Sequence, residues 1–155
     1  MRPIAFDKTD RKILALLQAD GRMTNADLAQ RICLSPSACL RRVQRLEAAR
    51  VIAGYVALVS QDAVGRPTSI FVEVTLKSQS EESLKAFERA VRACPDVMEC
   101  YLMSGDADYL IRVVAADTQD YERIHKQHLT RLPGVARIRS GFALRAVCKR
   151  TALDV

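Results

Sequence analysis

Three arginines stand close together in the first third of the chain, in a segment with a helical pattern. Arg41 and Arg45 are four residues apart, so at about 3.6 residues per turn they share one helical face with Ser37. Arg42 lies at the flank of this face. Arginine binds O6 and N7 of guanine through two parallel hydrogen bonds, and it also binds phosphate. The spacing predicts contact with double-stranded DNA, with Arg41 and Arg45 at base edges and Arg42 at phosphate.

The third helix of the chain must position these arginines. Ser35 is a preferred N-cap and Pro36 fits the first helical position, so we expect a helix from here to about Arg50. Its apolar side should pack against two earlier helices, and it consists of Cys39, Leu40, Val43 and Leu46. The DNA-binding residues predicted on the remaining surface are Ser35, Ser37, Ala38, Arg41, Arg42, Gln44 and Arg45.

Two shorter helices precede it. Asp7 is positioned to cap the first, which ends at Asp20-Gly21. Thr24 is positioned to cap the second, with Asp27 in the capping-box position. A short break at residues 32–34 separates the second helix from the third. This order and spacing are those of a helix-turn-helix.

Basic charge is concentrated in the same part of the chain. Residues 1–60 hold ten Lys and Arg against five Asp and Glu, whereas residues 61–155 hold fourteen against thirteen. The net charges are therefore +5 and +1. The alternative to DNA binding is a helix with an ordinary solvated basic face. The capped helices, the tight turn and the concentrated charge together favour DNA binding.

The hydrophobic pattern changes from helical to alternating after residues 61–67, which we take as a linker. Four strands and two helices follow in the order β-α-β-β-α-β. This is the order of the ferredoxin-like sandwich, an α+β fold with an antiparallel sheet and both helices on one face. The predicted domains are therefore a helix-turn-helix at 1–60 and a ferredoxin-like domain at 68–155.

Several short sequence motifs occur along nearly the whole chain, in the order and at the spacing that are typical of one protein family. They are Asp7 to Leu14, Leu34 to Ser37, Arg41 to Glu47, Val51 to Tyr55, Phe71 to Val74, Ser104 to Tyr109 and Leu132 to Val135. On these motifs the chain resembles the Lrp/AsnC, or feast/famine, family of transcriptional regulators. The stretch from Cys100 to Leu110 is most similar to the leucine-responsive branch. At Arg41, however, the enteric leucine-responsive proteins carry an acidic residue, so the preferred operator should differ.

The resemblance implies a plain or winged helix-turn-helix joined to an amino-acid-sensing and oligomerisation domain. It implies a regulator of amino-acid metabolism that forms homodimers and assembles further, commonly to octamers. It also places an amino-acid effector between the second domains of neighbouring subunits, and we expect a leucine-like one first. The alternative is an architectural DNA-packing protein without a small-molecule effector.

The effector site implied by the resemblance includes the hairpin between the two middle strands. A free amino acid needs donors for its carboxylate, which the backbone around Ser104-Gly105 offers, and an acceptor for its ammonium group, which Asp106 or Asp108 offers. Asp106 could instead fix the loop, and the hairpin could be an ordinary Gly-Asp turn. The predicted effector-binding residues are Tyr101, Met103, Ser104, Gly105, Asp106, Asp108 and Phe142.

Other chemistry has little support in the sequence. His125 and His128 lie three residues apart on one predicted helix, and only Glu122 lies at a spacing that supports them as a further ligand. This set is weak support for a metal site, so no metal or cofactor is expected. No nucleotide-binding loop, nucleophile elbow or zinc-protease helix occurs, so we expect no enzyme. The five cysteines should be core or interface residues of a cytoplasmic protein. Met1 to Phe6 contains no secretory signal, and no apolar stretch would span a membrane.

Overall fold

A computed structural model describes residues 5–155, which form two compact units. The first contains the residues up to Leu58 together with Val147–Val155, and the second contains Val59–Ala146. The last nine residues thus group with the first unit, whereas the sequence assigned them to the second domain. The segment 1–4, which includes most of the stretch considered for a secretory signal, lies outside the described residues.

The first unit contains the three predicted helices. They are α1 (Lys8–Ala19), α2 (Asn25–Arg31) and α3 (Pro36–Ala48). Each predicted N-cap is confirmed, because the side chains of Asp7, Thr24 and Ser35 each accept a backbone N–H three residues on. The helices enclose a small aliphatic core of buried residues, which are Ile13, Leu14, Leu28, Ala29, Ile32, Cys39 and Leu46.

Two residues in left-handed conformation end α2 and α3. Cys33, with φ of 57°, makes the turn between these helices, and Arg50, with φ of 58°, follows α3. In both cases the next amide bonds back across the turn, from Leu34 to Ala29 O at 2.9 Å and from Val51 to Leu46 O at 2.9 Å. This is the Schellman pattern, which usually has glycine in the left-handed position. With no glycine to mark the end, the sequence placed the end of α3 at Arg50, two residues too late.

The described residues of the first unit include no β-strand, so this is a plain helix-turn-helix. Residues 51–59, rich in β-branched side chains, contain no strand. The C-terminal segment is fixed to α1 by the side-chain amide of Gln18. That amide donates to Leu153 O at 3.0 Å and accepts from Leu153 N at 2.7 Å.

The second unit is the predicted ferredoxin-like sandwich. Its elements are β1 (Thr68–Leu76), α4 (Glu81–Arg92), β2 (Val97–Leu102), β3 (Tyr109–Ala115), α5 (Thr118–Gln127) and β4 (Val135–Phe142). The strands form one antiparallel sheet in the order β2-β3-β1-β4. The predicted α+β fold class and element order are confirmed.

Within the second unit, the helices cover one face of this sheet. Ile70, Val72, Val74 and Leu76 alternate along β1 and pack with Phe87 of α4 and Ile124 of α5 in a single apolar core. The residues between them, such as Phe71 and Glu73, are exposed. Both helices therefore lie on the same side, and within Val59–Ala146 no helix packs on the other side of the sheet, the outer face.

The last strand is shorter than predicted. The sequence alternates from Val135 to Cys148, with Ile138, Phe142 and Leu144 on one side and Arg137, Arg139 and Arg145 on the other, which predicts a strand over this whole range. In the structure β4 ends at Phe142, where its pairing with β1 ends at Ile70. Leu144, predicted on the inward side, is fully exposed. Cys39 and Cys94 are buried as expected, whereas Cys33 and Cys148 are exposed and do not belong to the core.

Candidate DNA interface and effector cavity

The first exposed surface of interest is the one formed by α3. Cys39 and Leu46 are fully buried against α1 and α2, while Leu40, expected with them, remains 45% exposed. At the start of the helix, Ser35 Oγ accepts the amide of Ala38 at 3.3 Å and lies 3.2 Å from Ser37 Oγ. The predicted DNA-binding residues all belong to α3 or its N-cap, and each of them is at least partly exposed.

The three arginines of this surface have different environments. Arg41 is exposed and forms no ion pair with any residue in the range 5–155. Arg42 Nη1 donates to Asp7 at 2.7 Å and to Asp10 at 2.9 Å. Arg45 Nη2 donates to the other carboxylate oxygen of Asp10. The predicted phosphate contact of Arg42 would therefore compete with two carboxylates.

Asp10 joins α1 to α3. Its side chain is 1% exposed and accepts from both Arg42 and Arg45, and also from the amide of Asp7 at 3.2 Å. Asp7 Oδ1 in turn accepts the amide of Asp10 at 2.8 Å, which completes a capping box. The hydrogen bond from the Asp10 amide and the Arg42 guanidinium lower the pKa of Asp7, and Asp7 and Asp10 raise the pKa of Arg42.

Sequence reasoning missed this ion-pair cluster. It assigned Asp7 to a helix cap and gave Asp10 no role. The separation of more than thirty residues between these acids and the arginines carries no local signal. The one local sign is that position 10, which is buried with Ile13 and Leu14, holds an aspartate instead of an apolar residue.

The second surface of interest is the hairpin between β2 and β3. It forms one wall of an open cavity of about 250 Å³. The cavity is lined by Glu73, Met103, Ser104, Gly105, Asp106, Ala107, Leu110 and Arg139. Gly105 has φ of 146°, a conformation that residues with a Cβ rarely adopt, and its amide has no acceptor within the described part of the chain. Four of the seven predicted effector residues therefore share one cavity.

The two aspartates of the hairpin have different roles from the ones in our alternative hypothesis, in which Asp106 fixes the loop. Asp108 is 6% exposed, and its carboxylate accepts the Leu76 amide at 2.7 Å and the side-chain amide of Gln79. Its backbone also bonds Val74 O at 2.9 Å. Asp108 therefore fixes the loop, the role that we considered for Asp106. Asp106 is exposed, lines the cavity and has no partner among residues 5–155.

Two other predicted residues lie outside the cavity. Phe142 packs edge-on against Tyr121 of α5, with ring centroids 5.3 Å apart, because its place in β4 directs it to the helix side of the sheet. Tyr101 is opposite Leu110 in the β2–β3 register, and its hydroxyl donates to Glu99 at 3.1 Å. Within one chain neither ring reaches the hairpin cavity.

Two charged residues of the cavity were missed by the sequence reasoning. Glu73 of β1 and Arg139 of β4 are opposite each other in the register, with Oε2 and Nη1 3.6 Å apart. The alternation of each strand predicts that both point away from the core. Their proximity depends on the pairing of the first strand with the last, which periodicity alone does not specify.

Within the range 5–155 no three His, Cys, Asp or Glu residues are grouped so that they could hold a metal ion. His128 lies 3.9 Å from the buried Asp96, which Arg66 binds at 2.7 Å. None of the helices described is both long and apolar enough to cross a bilayer.

Comparison with known proteins identifies both units. The family model described as the AsnC-type helix-turn-helix domain matches residues 6–47, and the one described as the Lrp/AsnC ligand binding domain matches residues 69–153. The chain belongs to the Lrp/AsnC family. The predicted family is therefore confirmed, and with it the prediction of a DNA-binding transcriptional regulator rather than an enzyme.

Characterised members of the Lrp/AsnC family match over almost the whole chain. The Bkd operon transcriptional regulator of Pseudomonas aeruginosa is 44% identical over 95% of this chain and 96% of its own. The leucine-responsive regulatory protein of Escherichia coli K12 is 39% identical over 97% and 92%. A Neisseria meningitidis transcriptional regulator, solved in complex with L-Met, superposes with a TM-score of 0.90 at 35% identity, covering 96% of both chains.

The buried contacts of Asp108 lead to a prediction about stability. Asp108→Ala leaves the amide of Leu76 without its acceptor, so we expect a loss of about 1–3 kcal/mol in the free energy of unfolding, measured by urea denaturation. Asp106→Ala, at an exposed side chain of the same hairpin, is the matched control and should stay within about 0.5 kcal/mol of wild type. Equal stabilities of the two variants would contradict the loop-fixing role of Asp108.

Proposed function

We propose that this Lrp/AsnC regulator reads double-stranded DNA in a sequence-specific way with α3, and that an amino acid bound at the hairpin cavity modulates this binding. The observation that carries the first part is the guanidinium of Arg41, which forms no ion pair within residues 5–155 and lies beside Arg45 on an exposed helix face. Arg45 uses only Nη2 in its contact with Asp10, so its other N–H groups can still bind a base. Arg41 and Arg45 are the proposed base-reading residues, and Ser35, Ser37, Ala38 and Gln44 are the proposed flanking contacts.

The cavity has the charges that an amino-acid zwitterion requires. Glu73 and Asp106 offer carboxylates for the ammonium group, and Arg139 with the Gly105 amide offers donors for the carboxylate. The side chains of Glu73 and Arg139 are 3.6 Å apart. If they turn from each other to the ligand, Glu73 can bind its ammonium group and Arg139 can bind its carboxylate.

The apolar part of the cavity favours an aliphatic effector. Met103, Ala107 and Leu110 line it. Leucine and methionine are the first candidates: they match this lining, and the names of the Escherichia coli and Neisseria proteins point to the same two amino acids. Asp108 acts in this proposal by holding the hairpin in place, and Ser104 contributes backbone at the rim.

We also propose homodimers that assemble to higher oligomers, with the octamer as the expected form. The outer face of the sheet, on which no helix of the second unit packs, carries large apolar side chains, including Phe71 at 42% and Tyr101 at 54% exposure. Antiparallel sheets with an uncovered apolar face commonly bury it against another layer. In an oligomer, Tyr101 on the outer face of one subunit can approach the cavity of a neighbour, and Phe142, on the helix side, can do so only from the edge strand β4. The proposed location is the cytoplasm, where the DNA is.

The first prediction concerns the arginines of α3. Arg41→Ala should weaken binding to a preferred duplex by about 1–3 kcal/mol and relax the preference at particular base pairs, and Arg45→Ala should do the same at others, because each loses a base contact. The measurement is fluorescence anisotropy with single-base variants of a duplex selected from a random pool. Arg89→Ala, an exposed arginine of α4, is the charge-matched control and should bind as wild type does. Losses that are equal on every sequence would leave only a generic basic surface.

The second prediction concerns the effector. Among the twenty amino acids, leucine or methionine should raise the melting temperature most and shift the DNA affinity, because a ligand that binds one state better stabilises that state. Arg139→Gln should abolish this response by removing the carboxylate partner. Arg137→Gln, two residues earlier on the same strand, is the matched control and should respond normally. The absence of a response to all twenty amino acids would favour the architectural alternative.

The third prediction concerns assembly. Phe71→Glu places a charge in the middle of the outer face, so the full chain should sediment as a smaller species than wild type while its circular dichroism spectrum is unchanged. Lys77→Gln, beyond the end of β1, lowers the net charge by the same single unit, so it is the charge control and should keep the wild-type assembly. An unchanged sedimentation coefficient for Phe71→Glu would place the subunit contacts elsewhere.

A further inference from the structure

Two acidic residues of α1 and its cap lie against the basic face of α3. Their carboxylates face two guanidiniums, so the charges of Asp7 and Asp10 balance those of Arg42 and Arg45. Arg41, which directly precedes Arg42 in sequence, forms no ion pair within residues 5–155, so its charge is not balanced by an acid there. The basic surface presented to DNA is therefore smaller than the count of its arginines suggests.

Arg42 is the more strongly held of the two paired arginines. Its side chain is 29% exposed and contacts both carboxylates, whereas that of Arg45 is 51% exposed and contacts Asp10 alone. Asp10 is buried and cannot move away, and Asp7 is fixed by the capping box. A phosphate that binds Arg42 must replace two charge-assisted hydrogen bonds that already exist in the free protein.

We propose that Asp7 and Asp10 are positioning residues that withhold Arg42 from the DNA backbone, so that α3 binds DNA through Arg41 and Arg45. This inference rests on the proposed role of α3 as the DNA-reading helix. Contacts to phosphate strengthen binding to every sequence equally, whereas contacts to base edges distinguish sequences. Withholding one arginine from phosphate lowers the affinity for unrelated DNA and raises the ratio of specific to non-specific binding.

Asp7 provides the sharpest test because it can be changed without loss of the helix cap. Asn is as good an N-cap as Asp, so Asp7→Asn removes the negative charge and keeps the side-chain acceptor. The partner change is Arg42→Gln, and the double variant completes a cycle that isolates the effect of Asp7 acting through Arg42. Asp27→Asn, which removes a carboxylate near the start of α2, is the control for the change in net charge.

The experiment measures DNA affinity across a series of salt concentrations. The probes are a duplex that the wild-type chain selects from a random-sequence pool and a scrambled duplex of the same composition. Asp7→Asn should steepen the slope of log K against log salt concentration by about one on both duplexes, because one more arginine reaches phosphate. The ratio of the two affinities should fall. Asp27→Asn should leave the slope and the ratio unchanged, and Asp7→Asn should have no effect on the slope when Arg42 is Gln.

Two results would overturn the inference. One is a slope for Asp7→Asn equal to that of wild type, and the other is an equal steepening in the presence of Arg42→Gln. Thermal melting verifies that each variant is folded, and Asp7→Ser, another N-cap residue, replaces Asp7→Asn if the latter melts early. If the wild-type chain selects no duplex from the pool, the proposed function of α3 fails instead, which distinguishes the two failures.

Discussion

The arrangement of the DNA-binding unit depends on the buried carboxylate of Asp10. A buried carboxylate is tolerated only where hydrogen-bond donors surround it, so the groups that donate to Asp10 must stay in place. Its donors come from the cap of α1 and from two turns of α3. The apolar core beneath would allow the two helices to slide or rotate, because hydrophobic contacts have no direction. The hydrogen bonds of Asp10 fix the register of α3 against α1 and therefore the direction in which the face of Arg41 points.

The second unit uses the same principle at the hairpin. Asp108 links β3 to the end of β1 and to the segment before α4 through Leu76 and Gln79. These bonds hold the backbone of Gly105 and the side chain of Asp106 at the rim of the cavity. Preorganised contacts lower the entropic cost of binding a small ligand. In each unit, then, a buried acid holds a neighbouring exposed residue in position, and the exposed residue is the one free to bind.

The charges at the two surfaces also differ in a way that fits their proposed partners. On α3 most of the arginine charge is neutralised within the protein, which leaves a focused rather than a diffuse positive surface. In the cavity, Glu73 and Arg139 present both signs within a few ångströms, as a zwitterion requires. The outer face of the sheet, on which Glu73 and Arg139 lie, is also the apolar face on which no helix of the second unit packs. The proposed effector site and the proposed subunit contact are therefore adjacent on one sheet, and a ligand bound there would favour one assembly state over another.

The sequence by itself determined the elements of this protein, because caps and hydrophobic periods are local properties. Asp7, Thr24 and Ser35 start the helices where expected, and the alternation after residue 68 gives the β-α-β-β-α-β order. The end of α3 was misplaced because Arg50 adopts a conformation that the sequence signals only through glycine. Tertiary structure alone decided which aspartate of the hairpin is buried, that Phe142 contacts α5, and that Glu73 meets Arg139. It also decided that, among the described residues, Arg42 has acidic partners while Arg41 has none. These features depend on contacts between residues that are about twenty or more positions apart in sequence, and periodicity contains no information about such pairings.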